Sequence, residues 1–353
     1  MRTTGRRAPR FSVLMPTHNR ADVVGYAIQS VLWQTEQDFE LLIVGDGCTD
    51  NTAEVVGRFT DPRIRWFDLE KAPYFGYANR NIALRQARGE FIALAQDDDI
   101  FFDDHLALLA ATLDDTGKEW AYSLPLWVDV NGTVVAYPMN LANSSELDVF
   151  LTRRNSIPSS CVVHRRACFE QYGYWPEDVP SAADWRFWVR IIEGGGRANF
   201  AYCREPTCLH FVANWRREKA RVFDGERWPM VTSQKILPGA TEQEVYFDAI
   251  TAHGGEWVSA LREKVRRAVD RFAWRAMTEL VPQIAELKSK ERESRRSAET
   301  ALRSLEKANE AAPRLARAKK KEKHLLRQIE VIHKSRSWRV TSPLRAISRM
   351  LFR

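Results

Sequence analysis

Three consecutive aspartates, Asp97, Asp98 and Asp99, directly follow the apolar run FIALA. Like charges a few ångströms apart repel, and each raises its neighbour's pKa unless a positive charge lies among them. Carboxylate oxygens suit Mg²⁺ or Mn²⁺, and Mg²⁺ is usually held by one or two carboxylates plus substrate phosphates. The alternative is a helix N-terminus, where acidic side chains accept hydrogen bonds from free N–H groups. Because Asp103 and Asp104 already stand nearer the next helical run, the three aspartates favour a metal and diphosphate site.

Other residues that could bind a ligand also follow predicted strands. Asp46 could accept a hydrogen bond from a nucleobase or ribose, or it could be a turn residue beside Gly47. Arg80 could contact a base or a diphosphate, or it could be a surface arginine on a helix. His210 could be a further metal or diphosphate ligand, although a lone histidine is more often structural, and His18 is equally ambiguous.

The first third of the chain must supply the elements that position these residues. Four short apolar runs, rich in β-branched and aromatic residues, alternate there with stretches of helical spacing: FSVLMP (11–16), FELLIVG (39–45), RIRWFD (63–68) and FIALA (91–95). This alternation indicates an α/β fold, with a mostly parallel sheet and helices on both faces. Ligands bind such sheets at the carboxyl ends of the strands, so the polar stretches should surround one pocket. The chain has no G-x-G-x-x-G or G-x-x-x-x-G-K loop, which disfavours a Rossmann dehydrogenase or a P-loop enzyme.

From about residue 119 the pattern of elements becomes mixed. WAYSLPLWVDV, the Asn131-Gly132 turn and TVVAYP predict a β-hairpin, and a helix is predicted over residues 184–193. Asp184 stands at the start of that helix, in the place of an N-cap. Most of the tryptophans lie in this half; their rings suit sugar binding, although a tryptophan is more often part of a core.

The end of the chain differs from the rest in charge. Residues 285–353 contain 20 Lys or Arg and 8 Asp or Glu, a balance of +12, so the overall +7 leaves residues 1–284 at −5. A weak heptad pattern over 285–335, interrupted by Pro313, predicts a coiled coil that forms a homo-oligomer, a charged single helix or partial disorder. Residues 336–353 could form a basic amphipathic helix on an anionic membrane surface, or they could be a solvated tail or a packing helix. No nucleic-acid recognition motif accompanies the basic charge, so we expect no nucleic-acid partner.

Composition and cysteine usage predict the compartment. The five cysteines show no C-x-x-C spacing and are expected to be free thiols, as in a reducing compartment. No apolar run approaches the roughly 18 to 20 residues that span a bilayer, and the basic start lacks the apolar segment of a secretory signal. These features predict a cytoplasmic protein, with peripheral contact at the inner membrane face if the basic tail binds lipid.

Several motifs together resemble a family-two inverting glycosyltransferase of the GT-A fold. They are PTHNRADVVGYAIQSVLWQTEQDFELLIVGDGCTDNT, the Asn79-Arg80-Asn81 segment, ARGEFIALAQDDDI and ADWRFWVRI, and the resemblance covers about residues 11–215. It implies a nucleoside-diphosphate sugar as donor substrate and Mn²⁺ or Mg²⁺ as cofactor. The synthase motif Q-x-x-R-W is absent, so the resemblance is to a non-processive enzyme.

The resemblance also assigns roles to individual residues. Thr17 and Asp46 would hold the nucleotide, and Arg80 would lie near the base or diphosphate. Gln96-Asp97-Asp98 occupies the D-x-D position, with Asp98 as metal ligand and Asp97 near the ribose or the metal. Asp184 would be the catalytic base. Gly45, Gln96 and Ala183 each replace an acidic residue that is frequent in the family.

Two functions are consistent with these assignments. The first is metal-dependent, inverting transfer of a sugar to a saccharide or lipid-linked acceptor hydroxyl in cell-surface polysaccharide or glycoconjugate assembly. The second is a non-catalytic sugar-nucleotide-binding or scaffolding protein whose helical extension recruits partners. The predicted segments are 1–10 (flexible basic N-terminus), 11–118 (nucleotide-sugar half), 119–235 (acceptor and base half), 236–284 (helical segment), 285–335 (charged helix or coiled coil) and 336–353 (basic amphipathic tail).

Overall fold

The computed structural model describes most of the chain in two compact units. The described residues are 8–155, 157–212, 230–233, 240–275, 278, 281–307 and 312–334. The first unit comprises residues 1–142 and 147–268, and the second comprises residues 143–146 and 269–353. The predicted tail at 336–353 lies outside the described residues, as do Trp215 and Trp228.

Strands form wherever the apolar runs predicted them, and several short strands are added. The strands are β1 (Phe11–Thr17), β2 (Phe39–Asp46), β3 (Ile64–Leu69), β4 (Phe91–Leu94), β5 (Ile100–Phe101), β6 (Trp120–Ser123), β7 (Leu126–Val128), β8 (Thr133–Ala136), β9 (Val162–Arg165), β10 (Ala201–Cys203), β11 (Cys208–Phe211) and β12 (Met230–Ser233). The side chains of β1, β2 and β4 are buried along their whole length. Such continuous burial is typical of strands covered by helices on both faces.

Helices separate the strands of the first half and dominate the end of the chain. They are α1 (Val24–Leu32), α2 (Thr52–Gly57), α3 (Tyr77–Leu84), α4 (His105–Thr116), α5 (Ser144–Thr152), α6 (Cys168–Tyr172), α7 (Ala183–Gly194), α8 (Glu242–Arg275), α9 (Val281–Lys307) and α10 (Ala312–Lys334). The backbone of α8 is interrupted at Gly254, which has φ 50°. In the described part of the chain, no helix combines the length and apolar character needed to cross a bilayer.

Within the described residues the main sheet has seven strands in the order β10-β6-β9-β4-β1-β2-β3. Every neighbouring pair is parallel except the two pairs that β9 makes with β4 and β6. The fold is therefore α/β with a mostly parallel sheet, as the alternation of strands and helices predicts. The carboxyl ends of β1, β2 and β4 meet at one edge of this sheet, next to the acidic loop at residues 96–99.

A second sheet of five described strands, in the order β12-β8-β7-β11-β5, lies next to that loop in the chain. The predicted hairpin is present as the antiparallel pair β7 and β8, with Gly132 at φ 73° in its turn. β5 begins directly after Asp99 and pairs with β11. The second sheet thus begins where the acidic loop ends.

Tryptophans and the helical extension also bear on the predictions. Trp120, Trp175 and Trp188 are buried in the core, so these three are not sugar platforms. Helices α9 and α10 occupy most of the segment predicted as a coiled coil or charged helix, and the side chains described in them are mainly exposed. Association of these helices with a second copy stays a prediction.

Candidate active site

One cavity of about 820 Å³ opens at the carboxyl edge of the main sheet. Residues from the ends of β1 and β2, the start of α3, the acidic loop, the start of α7 and β11 line it. All six residues predicted to bind the donor or act in catalysis are among them: Thr17, Asp46, Arg80, Asp97, Asp98 and Asp184. Positions up to 167 residues apart in the chain therefore share one site.

Asp46, the last residue of β2, is fixed by three donors. Its Oδ1 accepts hydrogen bonds from the Ala72 backbone N–H at 2.9 Å and from Asn79 Nδ2 at 2.7 Å. Its Oδ2 lies 2.5 Å from Lys71 Nζ. The carboxylate is only 7% exposed. Because Oδ2 keeps acceptor capacity beside a neutralising ammonium, Asp46 can accept an N–H or O–H from a neutral ligand group.

Thr17 and Asp97 lie together at the end of β1. The buried Thr17 hydroxyl is beside the Asp97 carboxylate but outside hydrogen-bonding geometry with it. Burial raises the pKa of Asp97, and the Arg20 guanidinium, whose Nε lies 3.8 Å away, opposes this shift. Thr17 therefore offers a buried hydroxyl that a ligand could engage.

Asp98 is the predicted metal ligand, and its carboxylate lacks a partner among the described side chains. Burial, followed by the neighbouring carboxylates of Asp97 and Asp99, raises its pKa to about 8. A cation bound to Asp98 would offset both the burial of its charge and the repulsion from Asp97 and Asp99. The described residues contain no cluster of three or more His, Cys, Asp or Glu side chains that would hold a metal alone. The donor set thus fits a hard cation held by one or two protein groups together with a diphosphate, and it does not fit a preformed protein cage.

Asp99, the third aspartate, faces away from the cavity. Its carboxylate is 2% exposed and accepts hydrogen bonds from Ser160 Oγ at 2.5 Å and the Phe211 N–H at 3.0 Å. It also lies 2.9 Å from His210 Nδ1. Burial lowers the pKa of His210, but Asp99 more than compensates and raises it to about 8. Asp99 is therefore a structural residue that orients the His210 ring and leaves Nε2 as the nitrogen available at the cavity.

Arg80, on α3, is the positive charge at the centre of the site. Burial lowers its pKa, and Asp184 opposes that shift most strongly among its neighbours. The guanidinium lies over the rings of Tyr77 at 5.2 Å and Trp175 at 5.7 Å, and its buried Nε has no hydrogen-bond partner among the described residues. An unpartnered, ring-supported guanidinium in a cavity suits a phosphate or diphosphate.

Asp184 is the second residue of α7, two positions after the cap residue. The cap position is Ala182, at φ 58°, and it makes no side-chain cap bond, so the N-cap interpretation of Asp184 is wrong. The carboxylate accepts hydrogen bonds from the Trp185 N–H at 2.8 Å and from Ser159 Oγ. These two bonds hold it rigidly at the cavity wall, near the positive end of the helix dipole.

Sequence reasoning missed several residues of the site. Lys71 and Asn79 hold Asp46, and Ser159 holds Asp184. Tyr74 and Phe75 stand exposed at the mouth of the cavity. The cluster of Pro73, aromatic residues and Gly76 after β3 was the signal available for a shaped loop. Ser159 carried no signal, because its role depends on a fold in which residues 159 and 184 meet.

The comparisons with known proteins agree with this geometry. The family model "Glycosyl transferase family 2" matches residues 12–172. A curated relative, "Poly(ribitol-phosphate) beta-N-acetylglucosaminyltransferase TarS" of Staphylococcus aureus (strain Mu50), is 28% identical over 192 residues, which are 53% of this chain and 33% of the relative. "UDP-Glc:alpha-D-GlcNAc-diphosphoundecaprenol beta-1,3-glucosyltransferase WfgD" of Escherichia coli is 39% identical over 97 residues, or 28% of this chain and 38% of that protein. An "Uncharacterized glycosyltransferase" of Rickettsia bellii (strain RML369-C) is 26% identical over 188 residues, covering 52% of this chain and 26% of that protein.

Among solved structures, TarS 1–349 of S. aureus in complex with UDP-GlcNAc has a TM-score of 0.49 at 23% identity and covers 62% of each chain. The mannosyltransferase PcManGT from Pyrobaculum calidifontis, in complex with GDP-Man and Mn²⁺, has a TM-score of 0.45 at 19% identity, covering 80% of this chain and 79% of that one. The chain spans about a quarter to a third of the length of the Rickettsia and TarS relatives. The strand order is that of a mostly parallel α/β fold, and residues 12–172 are similar to glycosyl transferase family 2.

Proposed function

We propose that this protein transfers a sugar from a nucleoside-diphosphate sugar to an acceptor hydroxyl, with inversion at the anomeric carbon. The observation that carries the proposal is one cavity lined by three groups: a rigidly held carboxylate (Asp184), a guanidinium whose buried Nε has no partner among the described residues (Arg80), and a carboxylate to which no described side chain donates (Asp98). A base, an anion-binding group and a metal ligand are the three parts that such a transfer requires.

The donor would lie along the carboxyl edge of the main sheet. Asp46 and Thr17 offer a fixed acceptor and a buried hydroxyl for the nucleoside, and Asp97, beside Thr17, would lie near the ribose or the metal. Arg80 would bind the diphosphate, because its guanidinium lines the cavity and its buried Nε lacks a hydrogen-bond partner among the described residues. Bound next to Asp98, Mn²⁺ or Mg²⁺ would neutralise the charge that develops on the departing diphosphate. Asp98 would hold the ion, and His210, which also lines the cavity, would be a further ligand.

Asp184 would take the proton of the acceptor hydroxyl as its oxygen attacks the anomeric carbon. The hydroxyl oxygen forms a bond to that carbon while the bond to the diphosphate oxygen breaks, and the proton passes to the Asp184 carboxylate. Ser159 and the Trp185 N–H orient this carboxylate, so it needs little reorientation during the reaction. The replacement of the preceding acid by Ala183 leaves Asp184 itself in place.

The acceptor class comes from the relatives. One relative is named for transfer to poly(ribitol phosphate), and another is named for transfer to a saccharide on diphosphoundecaprenol. We extend this to a saccharide or lipid-linked acceptor, in polysaccharide or glycoconjugate assembly. Contact of the basic C-terminal segment with a membrane, and oligomerisation through residues 285–335, belong to the same proposal.

Binding and turnover would test the proposal in two steps. A nucleotide that binds the folded protein raises its apparent stability by mass action, so UDP and GDP are screened by thermal unfolding with and without Mn²⁺. Transfer or hydrolysis of the corresponding nucleotide sugars is then measured. A protein that binds but never turns over would support the scaffolding alternative.

Asp184→Asn tests the base. The amide keeps the shape: its oxygen can accept from the Trp185 N–H, and its NH₂ can donate to the Ser159 hydroxyl oxygen. Nucleotide binding should therefore survive while kcat falls by about 10²- to 10⁴-fold. Asp178→Asn, which changes a nearby exposed aspartate, is the control and should leave both unchanged. Near-wild-type turnover by a folded Asp184→Asn protein would remove Asp184 from its proposed role.

A further inference from the structure

The first turn of α8 packs directly against the acidic loop. Gln243 is 4% exposed, and its Nε2 donates a hydrogen bond to the backbone carbonyl oxygen of Asp98 at 3.2 Å. Its Oε1 is buried and accepts no hydrogen bond from any described group, so the bond to Asp98 is what fixes this amide. Gln243 lies outside the segment that matches the family model.

The same helix also holds the far end of the segment that begins with the acidic loop. Arg262 donates two hydrogen bonds to Asp104, at 2.7 and 2.8 Å, and its guanidinium lies 5.6 Å from the ring of Phe102. The Trp257 ring contacts Phe102 edge-on at 6.5 Å. Residues 98–104 are thus held at both ends by α8.

Asp98 needs such support more than its neighbours do. The side chain of Asp97 has Arg20 beside it, and that of Asp99 is bound by Ser160 and the Phe211 N–H. No described side chain donates to the Asp98 carboxylate, and two like charges flank it. What holds Asp98 is its backbone, and the donor to its carbonyl is Gln243.

We propose that Gln243 is a positioning residue for the donor and metal site, because it fixes the backbone of Asp98 and so holds the carboxylate where a divalent cation and a diphosphate can meet it. This inference rests on the proposed function of Asp98. Metal sites lose affinity when their ligands are misplaced by fractions of an ångström, so a single hydrogen bond behind the ligand matters. Gln243 makes no contact with the reacting atoms, and its effect is on binding.

The test replaces Gln243 by methionine, which keeps the volume and removes the donor. Binding of UDP and of GDP is titrated against Mn²⁺ on the full chain, without acceptor, so that turnover plays no part. We expect the Mn²⁺ concentration for half-maximal nucleotide binding to rise about three- to tenfold, as loss of one hydrogen bond predicts. In steady state, KM for the donor should rise with little change in kcat at saturating Mn²⁺. Gln243→Leu provides a second measurement if the methionine variant does not fold.

Tyr246→Phe is the matched control. Tyr246 lies one turn along α8, is fully buried, and donates through its hydroxyl to the Gly132 carbonyl in the turn between β7 and β8. Its loss should lower thermal stability and leave the Mn²⁺ dependence unchanged. Wild-type Mn²⁺ dependence in both folded Gln243 variants, or an equal shift in Tyr246→Phe, would overturn the inference and leave the proposed function standing. Absence of Mn²⁺-dependent nucleotide binding in the wild-type protein would overturn both.

Discussion

Gly76→Ala should disrupt the nucleotide end of the site through its neighbour Asp46. Gly76 precedes α3 and has φ 69°, where an L-residue costs about 1 to 2 kcal/mol. A Cβ at this position would lie 2.5 Å from Asp46 Cγ and Oδ2 and 2.7 Å from Oδ1, so the carboxylate must move. Movement weakens its bonds to Ala72, Asn79 and Lys71, and losing one charged hydrogen bond costs about 1.5 to 3 kcal/mol.

The two costs add to about 2.5 to 5 kcal/mol of unfolding free energy. For a unit of this size, that is a fall of roughly 10 °C in Tm. UDP or GDP binding, measured by isothermal titration calorimetry with Mn²⁺, should weaken by about tenfold or more, because Asp46 no longer presents its oxygen to the nucleoside.

Gly117→Ala provides the matched control. Gly117 ends α4 at φ 65°, so alanine there carries the same backbone cost, but no atom lies within 4 Å of the added Cβ. The Gly117→Ala variant should lose about 1 to 2 kcal/mol of unfolding free energy and bind nucleotide as the wild-type protein does. Equal losses of stability and unchanged nucleotide binding in the two variants would refute the reasoning that Gly76 is required by its contact with Asp46.

Two further predictions concern the dependence of stability on pH. Burial raises the pKa of Glu40, but hydrogen bonds from Arg88 and Ser12 outweigh this and leave it below its usual 4.5, so Glu40 stabilises the protein above that pH and loses this effect as pH falls through its folded pKa. Glu40→Gln should therefore lower the unfolding free energy, measured with urea at pH 7, by about 2 kcal/mol. If the difference between the variant and the wild-type protein stayed the same at acidic pH, Glu40 would not be the group responsible. Burial lowers the pKa of His164 from 6.5 to about 4, so the unfolded chain takes up a proton across that window while the folded protein does not. The unfolding free energy should fall by up to about 3 kcal/mol from pH 6.5 to 4, and an equally steep fall in a folded His164→Leu variant would show that another group is responsible.

The sequence was most informative where periodicity is strong. The four apolar runs became β1 to β4, and the carboxyl-edge rule brought Asp46, Asp97 and Asp98 to one cavity. β5 and β11 have two and four residues, which is too short for a pattern to be visible. The second sheet therefore could not be predicted beyond its β7–β8 hairpin, and neither could the orientation of Asp99 away from the cavity.

Two departures from the family pattern have physical reasons that only the structure supplies. A Cβ on Gly45 would lie 2.4 Å from the Trp66 ring, so the tryptophan on the neighbouring strand occupies the space of the missing acid. Ala183 is fully buried, so a glutamate there would place a charge in the core. Contacts between segments far apart in the chain, such as that of Gln243 with Asp98, cannot be predicted from local sequence patterns.

The bonds of Asp99 have a consequence for how this protein melts. One buried carboxylate joins the loop after the main sheet to β11 of the second sheet and to Ser160 next to β9. If the two sheets separated, the Asp99 carboxylate would lose its hydrogen bonds to Ser160 or to β11. We therefore expect the two sheets to unfold in one cooperative transition, with amide exchange in β4 and β11 governed by the same opening event.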